Sequence, residues 1–186
     1  MRKIIVGISG ASGSAYALAL LRALHATREV ETHLVLSKQA PMTIALEMPG
    51  TSAADFEALA EVVHRDSDLA APISSGSFRT DGMVVIPCSI KTASSIAYSF
   101  NDNLVARAAD VCLKERRPLV LVVRETPLHL GHLRTLTQLA EIGAVILPPI
   151  PAMYARPASI EDIVNHTVGK VLDQLDIHNE LFTRWK

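Results

Sequence analysis

Two stretches, "MVVIP" at 83–87 and "PLVLVVR" at 118–124, are apolar at almost every position. Successive side chains of a strand point to opposite faces of its sheet, so an unbroken apolar run needs cover on both faces. Parallel sheets meet that need, because each crossover between parallel strands is a helix lying on one face. A third run, Ile4-Ile5-Val6, enters a turn built from Gly7, Gly10 and Gly13 and then a long apolar helix pattern, in "IIVGISGASGSAYALALLRAL".

The same alternation runs along the chain. Strands are expected at 3–8, 32–37 ("THLVLS"), 83–87, 118–124 and 144–147, and helices at 14–24, 42–47, 91–99, 104–114 and 131–142. Ser52 caps a further helix, with Asp55 at the capping-box position and Phe56, Leu59, Val62 and Val63 behind it. Ser159 caps the last, with Asp162 at the box position and Ile163, Val164, Val168, Val171, Leu172 and Leu175 on its apolar stripe. The order implies an α/β protein with one parallel sheet covered on both sides. At 186 residues one domain is expected, and no repeat, linker or low-complexity segment interrupts it.

The apolar content is 49% and the mean hydropathy +0.26, yet the longest apolar run, 15–21, is broken by Arg22. A membrane span needs about 18 apolar residues, so the surplus belongs in a covered sheet or in contacts between subunits. The first residues feed directly into a strand, so no signal peptide is read there. A net charge of −1 gives no basic field for nucleic acid. Cys88 and Cys112 are too few for a disulfide framework and lack zinc-like spacing, and a cytoplasmic location is expected.

In an open α/β sheet, ligands lie at the carboxyl ends of the strands. There this sequence places "SGASG", Ser37, "PCSIKT", "RET" and "PPIPAMY". Gly10, Ala11, Ser12 and Gly13 offer bare N–H groups, a hydroxyl and a helix start, which suit a phosphate. Ser89, Ile90, Lys91 and Thr92 open a second helix, and Arg124-Glu125 ends the most apolar strand. Tyr154 and Arg156 sit in the last long loop and Lys170 on the final helix. Two phosphate-friendly turns with Arg124, Lys91, Lys114, Arg107 and Lys170 suggest more than one phosphate. The dinucleotide fingerprint fails at Ile8, the P-loop pattern is absent, and no acid cluster stands ready for magnesium.

Other signals have plainer readings. His129 and His132 are spaced like metal ligands without a third, so no metal is expected. Cys88 reads as a packing residue. His25, His33 and His166 read as solvated or partly buried, and "LKERR" at 113–117 as a solvated helix end. The loop "APISSGSFRTD" at 71–81 is rich in turn residues, and its Ser74-Ser75-Gly76-Ser77 reads either as plain loop or as a ligand or interface segment.

The motifs "GISGASG", "SSGSFRTDGMVVIPCS", "NDNLVARAADVCLKERRPLVLVVRE", "GAVILPPIPAMY" and the terminal "RW" resemble the UbiX-type flavin prenyltransferases, in the branch named as small subunits of phenolic-acid decarboxylases. The resemblance runs in order from Ile4 to Trp185. It implies a flavodoxin-like Rossmann variant in a homo-oligomer, usually a dodecamer. It implies transfer of the dimethylallyl group of dimethylallyl phosphate to N5 and C6 of reduced FMN, without metal. The product, prenylated FMN, serves a separate UbiD-type decarboxylase. Residues 123–136 depart from the usual family reading, with Arg134 where a glutamate is usual, but Arg124 and Glu125 remain.

Carried over by position, Gly10, Ala11, Ser12, Ser37, Ser89, Ile90, Lys91, Thr92 and Arg124 would contact FMN. Tyr154 and Lys170 would hold the donor phosphate, helped by Lys114, Arg107 and Arg124. Ser12, Glu47 and Glu125 would handle protons, and Trp185 would close over the site from the tail, residues 176–186. Two other readings stand beside this one. FMN-dependent cysteine decarboxylases share the fold but carry a histidine on an early helix and a "PASANT"-like motif where this chain has "PCSIKT". A non-catalytic FMN-binding subunit of a decarboxylase complex would have no use for Glu47 and Glu125 near a flavin.

Overall fold

The computed structural model describes residues 1–185. Its sheet has six parallel strands: β1 (Arg2–Ile8), β2 (Val30–Leu36), β3 (Val62–Arg65), β4 (Gly82–Cys88), β5 (Leu119–Val123) and β6 (Val145–Ile146). They lie in the order β3-β2-β1-β4-β5-β6. β3 is a four-residue strand at one edge. Without it the remaining order is the flavodoxin one, in which the first strand lies between the second and third. The helices are α1 (Ser14–Thr27), α2 (Ala40–Glu47), α3 (Ala53–Glu57), α4 (Ile90–Ala97), α5 (Leu104–Lys114), α6 (Leu130–Glu141) and α7 (Ile160–Gln174).

Strand alternation divides the interior into two cores. Ile4, Val6 and Ile8 of β1 pack with α1, α7 and Phe56 of α3 on one face. Ile5, Met83 and Val85 pack with α4 and α5 on the other. β4 and β5 are buried at every residue, as their uninterrupted apolar sequence requires. Both capping boxes form as read, at Ser52–Asp55 and Ser159–Asp162.

The sequence reading needs correction at β3. Val62 and Val63 continue the helical spacing of Phe56 and Leu59, but α3 stops at Glu57 and these valines pair instead with His33 and Leu34 of β2. His33 is not solvated. It is 3% exposed, with Nδ1 3.0 Å from His64 Nε2 and Nε2 2.9 Å from Glu31 Oε1. Burial lowers its pKa against the opposing pull of Glu31. The helix end at 113–117 is also more than a solvated face. Arg117 donates to the carbonyls of Phe78 and Gly76, and Arg107 to that of Ser74. Two arginines of one helix and its exit thus hold the 71–81 loop in place.

Candidate active site

The sheet's order reverses between β1 and β4, and the turns that follow these two strands meet there. Ser9, 2% exposed, joins them. Its hydroxyl donates to the Pro87 carbonyl at 2.7 Å and accepts from the Ser89 N–H at 2.9 Å. A weaker bond from the Ala11 N–H, 3.4 Å, ties in the glycine turn. Sequence reasoning passed over Ser9. Its role depends on a strand nearly eighty residues away, and no local signal marks it.

Around that junction stand several of the residues from which FMN contacts are expected. Gly10 is obligatory, because a Cβ there would lie 2.5 Å from Gln39 Cβ. Gly13 has φ +122°, in the region that favours glycine. Ser89 caps α4, accepting from Thr92 N–H at 3.2 Å, with the two hydroxyls 3.0 Å apart. Ile90 and Lys91 begin that helix. The Arg124 N–H bonds the Cys88 carbonyl at 3.0 Å, so the Arg124-Glu125 pair leaves the sheet beside β4. Both side chains are exposed. Ser37 leaves β2 with its N–H on the Ile8 carbonyl, 2.9 Å, while its buried hydroxyl has no partner. An orphaned buried hydroxyl costs free energy unless something completes it.

Glu47 changes the expectation for the first turn. Its carboxylate accepts from the Gly13 N–H at 3.0 Å and the Ser14 N–H at 2.8 Å, and so caps α1. The start of α1 is therefore not free for a phosphate; an anion is already there. Burial pushes the Glu47 carboxyl up, but hydrogen bonds from Ser12, Ser14 and Gly13 outweigh it and hold the pKa below the ordinary carboxylate value. The first turn of α4, by contrast, holds no acidic residue.

A second cluster lies on α7. The Tyr154 hydroxyl is 3.2 Å from His166 Nε2, and its ring meets Trp185 edge-on at 5.0 Å. Lys170 lies 3.7 Å from Asp173, which also takes a two-point contact from Arg184 at 2.9 and 2.8 Å. Phe182 packs on Gly169, where a Cβ would come within 2.4 Å of the ring. The tail thus doubles back along α7 and brings Trp185 to Tyr154. Lys186 lies outside the described residues.

Arg107 and Lys114 are not brought to this cluster within one chain. Arg107 is paired with Asp110 and Ser74, while Lys114 contacts Glu115 beside Gly76. Cys88 is fully buried, which pushes its thiol up to about 12, as suits a packing residue. His129 spends Nδ1 on the N–H groups of Gly131 and His132, capping α6, and the two imidazoles lie tilted against each other with centroids 3.5 Å apart. Among the described residues no three His, Cys, Asp or Glu side chains gather as metal ligands.

A doubly wound parallel sheet with serine-, glycine- and arginine-bearing turns at its switch point defines a mononucleotide-binding α/β protein, and the model of the Flavoprotein family matches residues 1–172. The flavin prenyltransferase UbiX of Escherichia coli (strain K12) is 58% identical over 188 residues, covering 100% of this chain and 99% of the relative. A crystal structure of AnUbiX in complex with FMN and dimethylallyl pyrophosphate superposes with TM-score 0.95 at 48% identity, over 100% of this chain and 97% of that one. A dodecameric FMN-dependent Ubix-like decarboxylase from Escherichia coli O157:H7 superposes with TM-score 0.97 at 52% identity, over the whole of both chains. This chain belongs to the UbiX family of flavin prenyltransferases.

Proposed function

We propose that the chain binds reduced FMN across the β1/β4 junction and alkylates it with the dimethylallyl group of dimethylallyl phosphate, at N5 and C6. The observation that carries the reading is the junction itself. Ser9 locks the two turns together, the Ser37 hydroxyl is left for a ligand, and the start of α4 faces the same end of the sheet. Gly10, Ala11, Ser12, Ser37, Ser89 to Thr92 and Arg124 hold the flavin. The reaction product, prenylated FMN, passes to a UbiD-type decarboxylase.

The chain's residues meet the chemical demands of the step. Breaking an allylic C–O bond leaves an allyl cation and a phosphate carrying extra charge. Lys170, Arg124 and the Tyr154 hydroxyl stabilise that phosphate as its charge grows. The aromatic faces of Trp185 and Tyr154 shield the cation from water and stabilise it. N5 would bond to the allyl carbon and lose its proton; that proton, returned to the remaining double bond, makes the tertiary cation that C6 attacks, and ring closure then sheds the proton on C6, for which Glu125, acting through Ser12, is the base; Glu47 fixes Ser12 and the start of α1. Arg107 and Lys114, remote from the cluster of their own chain, serve the site of a neighbouring copy.

Assembly into a dodecamer follows from the same reading. Tyr98, Phe100, Leu130 and Ile160 are 59–79% exposed, and contacts between copies would cover them. The cytoplasm is the proposed location. No helix among the described residues is long and apolar enough to cross a membrane, and both cysteines are free. The functional test is transfer. After anaerobic incubation with reduced FMN and dimethylallyl phosphate, the filtrate should activate an apo UbiD-type decarboxylase. A filtrate that leaves it inactive, from protein that binds both substrates, overturns the proposal.

A further inference from the structure

The Tyr154–His166 pair poses a question of proton placement. The phenol oxygen and His166 Nε2, 3.2 Å apart, share one hydrogen between them. If the phenol donates to the imidazole, it presents only lone pairs to a phosphate and repels it. If the imidazole N–H donates to the phenol oxygen, the phenol keeps its own O–H for the phosphate. Lys170 lies one helical turn beyond His166 on the same face of α7, where the donor phosphate is placed.

We infer that His166 is a positioning residue for the prenyl donor: its Nε2–H donates to the Tyr154 oxygen and turns the phenol O–H toward the phosphate beside Lys170. This deepens the donor-site reading above and rests on it. The ring is held for the task. It packs edge-on against Phe182 at 4.7 Å, and Tyr154 is braced by Trp185 on its other side. Burial, followed by the charge of Lys170, keeps the imidazole below its ordinary pKa, so it is neutral near pH 7 and carries a single N–H.

The other charged groups around it leave that tautomer undisturbed. Asp162, one turn earlier on α7, is committed to the N–H groups of Ala158 and Ser159. Asp173 is taken by Arg184 and Lys170. Arg156, in the preceding loop, lines the same cavity of about 230 Å³ as His166 and offers only donors. Among the described residues no carboxylate therefore bonds the imidazole.

The test compares His166→Phe, His166→Gln, Tyr154→Phe and the double variant His166→Phe/Tyr154→Phe, with dimethylallyl phosphate and reduced FMN. His166→Phe keeps the ring contact with Phe182 and removes the N–H; His166→Asn, too short to reach, is the second removal variant. Either should raise the KM for the donor roughly 10-fold, the scale of a lost hydrogen bond to a charged group, with FMN affinity unchanged. His166→Gln, which restores an N–H at similar reach, should stay within about threefold of wild type. The double variant should be no worse than Tyr154→Phe, because the two residues act through one bond. A donor KM raised by Tyr154→Phe but untouched by both removal variants overturns the inference while leaving the donor site standing; so do additive effects in the double variant. A donor KM untouched by Tyr154→Phe overturns the donor-site reading and this inference with it.

Discussion

Gly169 is buried in the middle of α7, where glycine is a poor helix former, and its replacement by alanine separates the helix from the tail it carries. Alanine favours an interior helical site by about 1 kcal/mol over glycine. The new Cβ, however, would sit 2.4 Å from Phe182 Cδ1 and 2.8 Å from Asn179 Oδ1. Ordinary carbon contacts lie near 3.5–4.0 Å, so the ring must retreat by about 1 Å or more. Phe182 is half-buried, and undocking it forfeits about half the ~1.5–3 kcal/mol of a fully buried aromatic side chain. The two effects nearly cancel globally, and Tm should move by less than about 3 °C for a chain of this size. The local effect does not cancel: the tail detaches and Trp185 leaves Tyr154. Trp185 is the single tryptophan, so the anisotropy decay of its fluorescence reads the tail directly. Gly169→Ala should add a fast, large-amplitude component and raise the donor KM. An unchanged decay with a lowered Tm would mean that the helix, not the tail, absorbs the strain, and the packing argument would be wrong.

Other consequences can be measured. Ser9→Ala removes the buried bond to the Pro87 carbonyl and orphans the part-buried Ser89 N–H, so chemical denaturation should show a loss of about 1–3 kcal/mol, together with weaker FMN binding. Because the folded-state pKa of Glu47 is depressed, its contribution is present above the unfolded-state pKa of about 4.3 and fades as pH falls through the folded value. The stability gap between wild type and Glu47→Gln should therefore be widest near neutrality and close below about pH 4, as thermal melts across that range would reveal. Glu125→Gln should bind FMN and donor normally and turn over ~10²–10⁴-fold more slowly, by anaerobic stopped-flow absorbance; a wild-type rate would move the base to the released phosphate. Light scattering should find a particle far above the 20.1 kDa of one chain, and a stable monomer at micromolar concentration would refute the assembly.

Most of the fold could be read from the chain because buried parallel strands have no polar alternation to obscure them: β4 and β5 are apolar throughout and bounded by turns. β3 could not. Its four residues extend the spacing of the helix before them, with no glycine or proline to separate the two, and only pairing with β2 decides between helix and strand. The site divides along the same line. Gly10 and Ser89 announce themselves because they lie between a strand and the helix that follows it, and Arg124 because a charge ends so apolar a strand. Ser9, Glu47 as a cap for α1, and Arg117 as the clasp of the 71–81 loop act on partners 33 to 80 residues away. His166 sits on a helix face where a polar residue needs no explanation until Tyr154 arrives from another loop.

Alkylation of reduced FMN leaves its mark on the flavin itself. The most direct measurement is the mass of the flavin released by denaturing the protein after anaerobic incubation with reduced FMN and dimethylallyl phosphate. The flavin should be heavier than FMN by one C5 prenyl unit, formed in proportion to phosphate released and slowed ~10²–10⁴-fold by Glu125→Gln. Recovery of unmodified FMN alone, from folded protein with the donor bound, would contradict it.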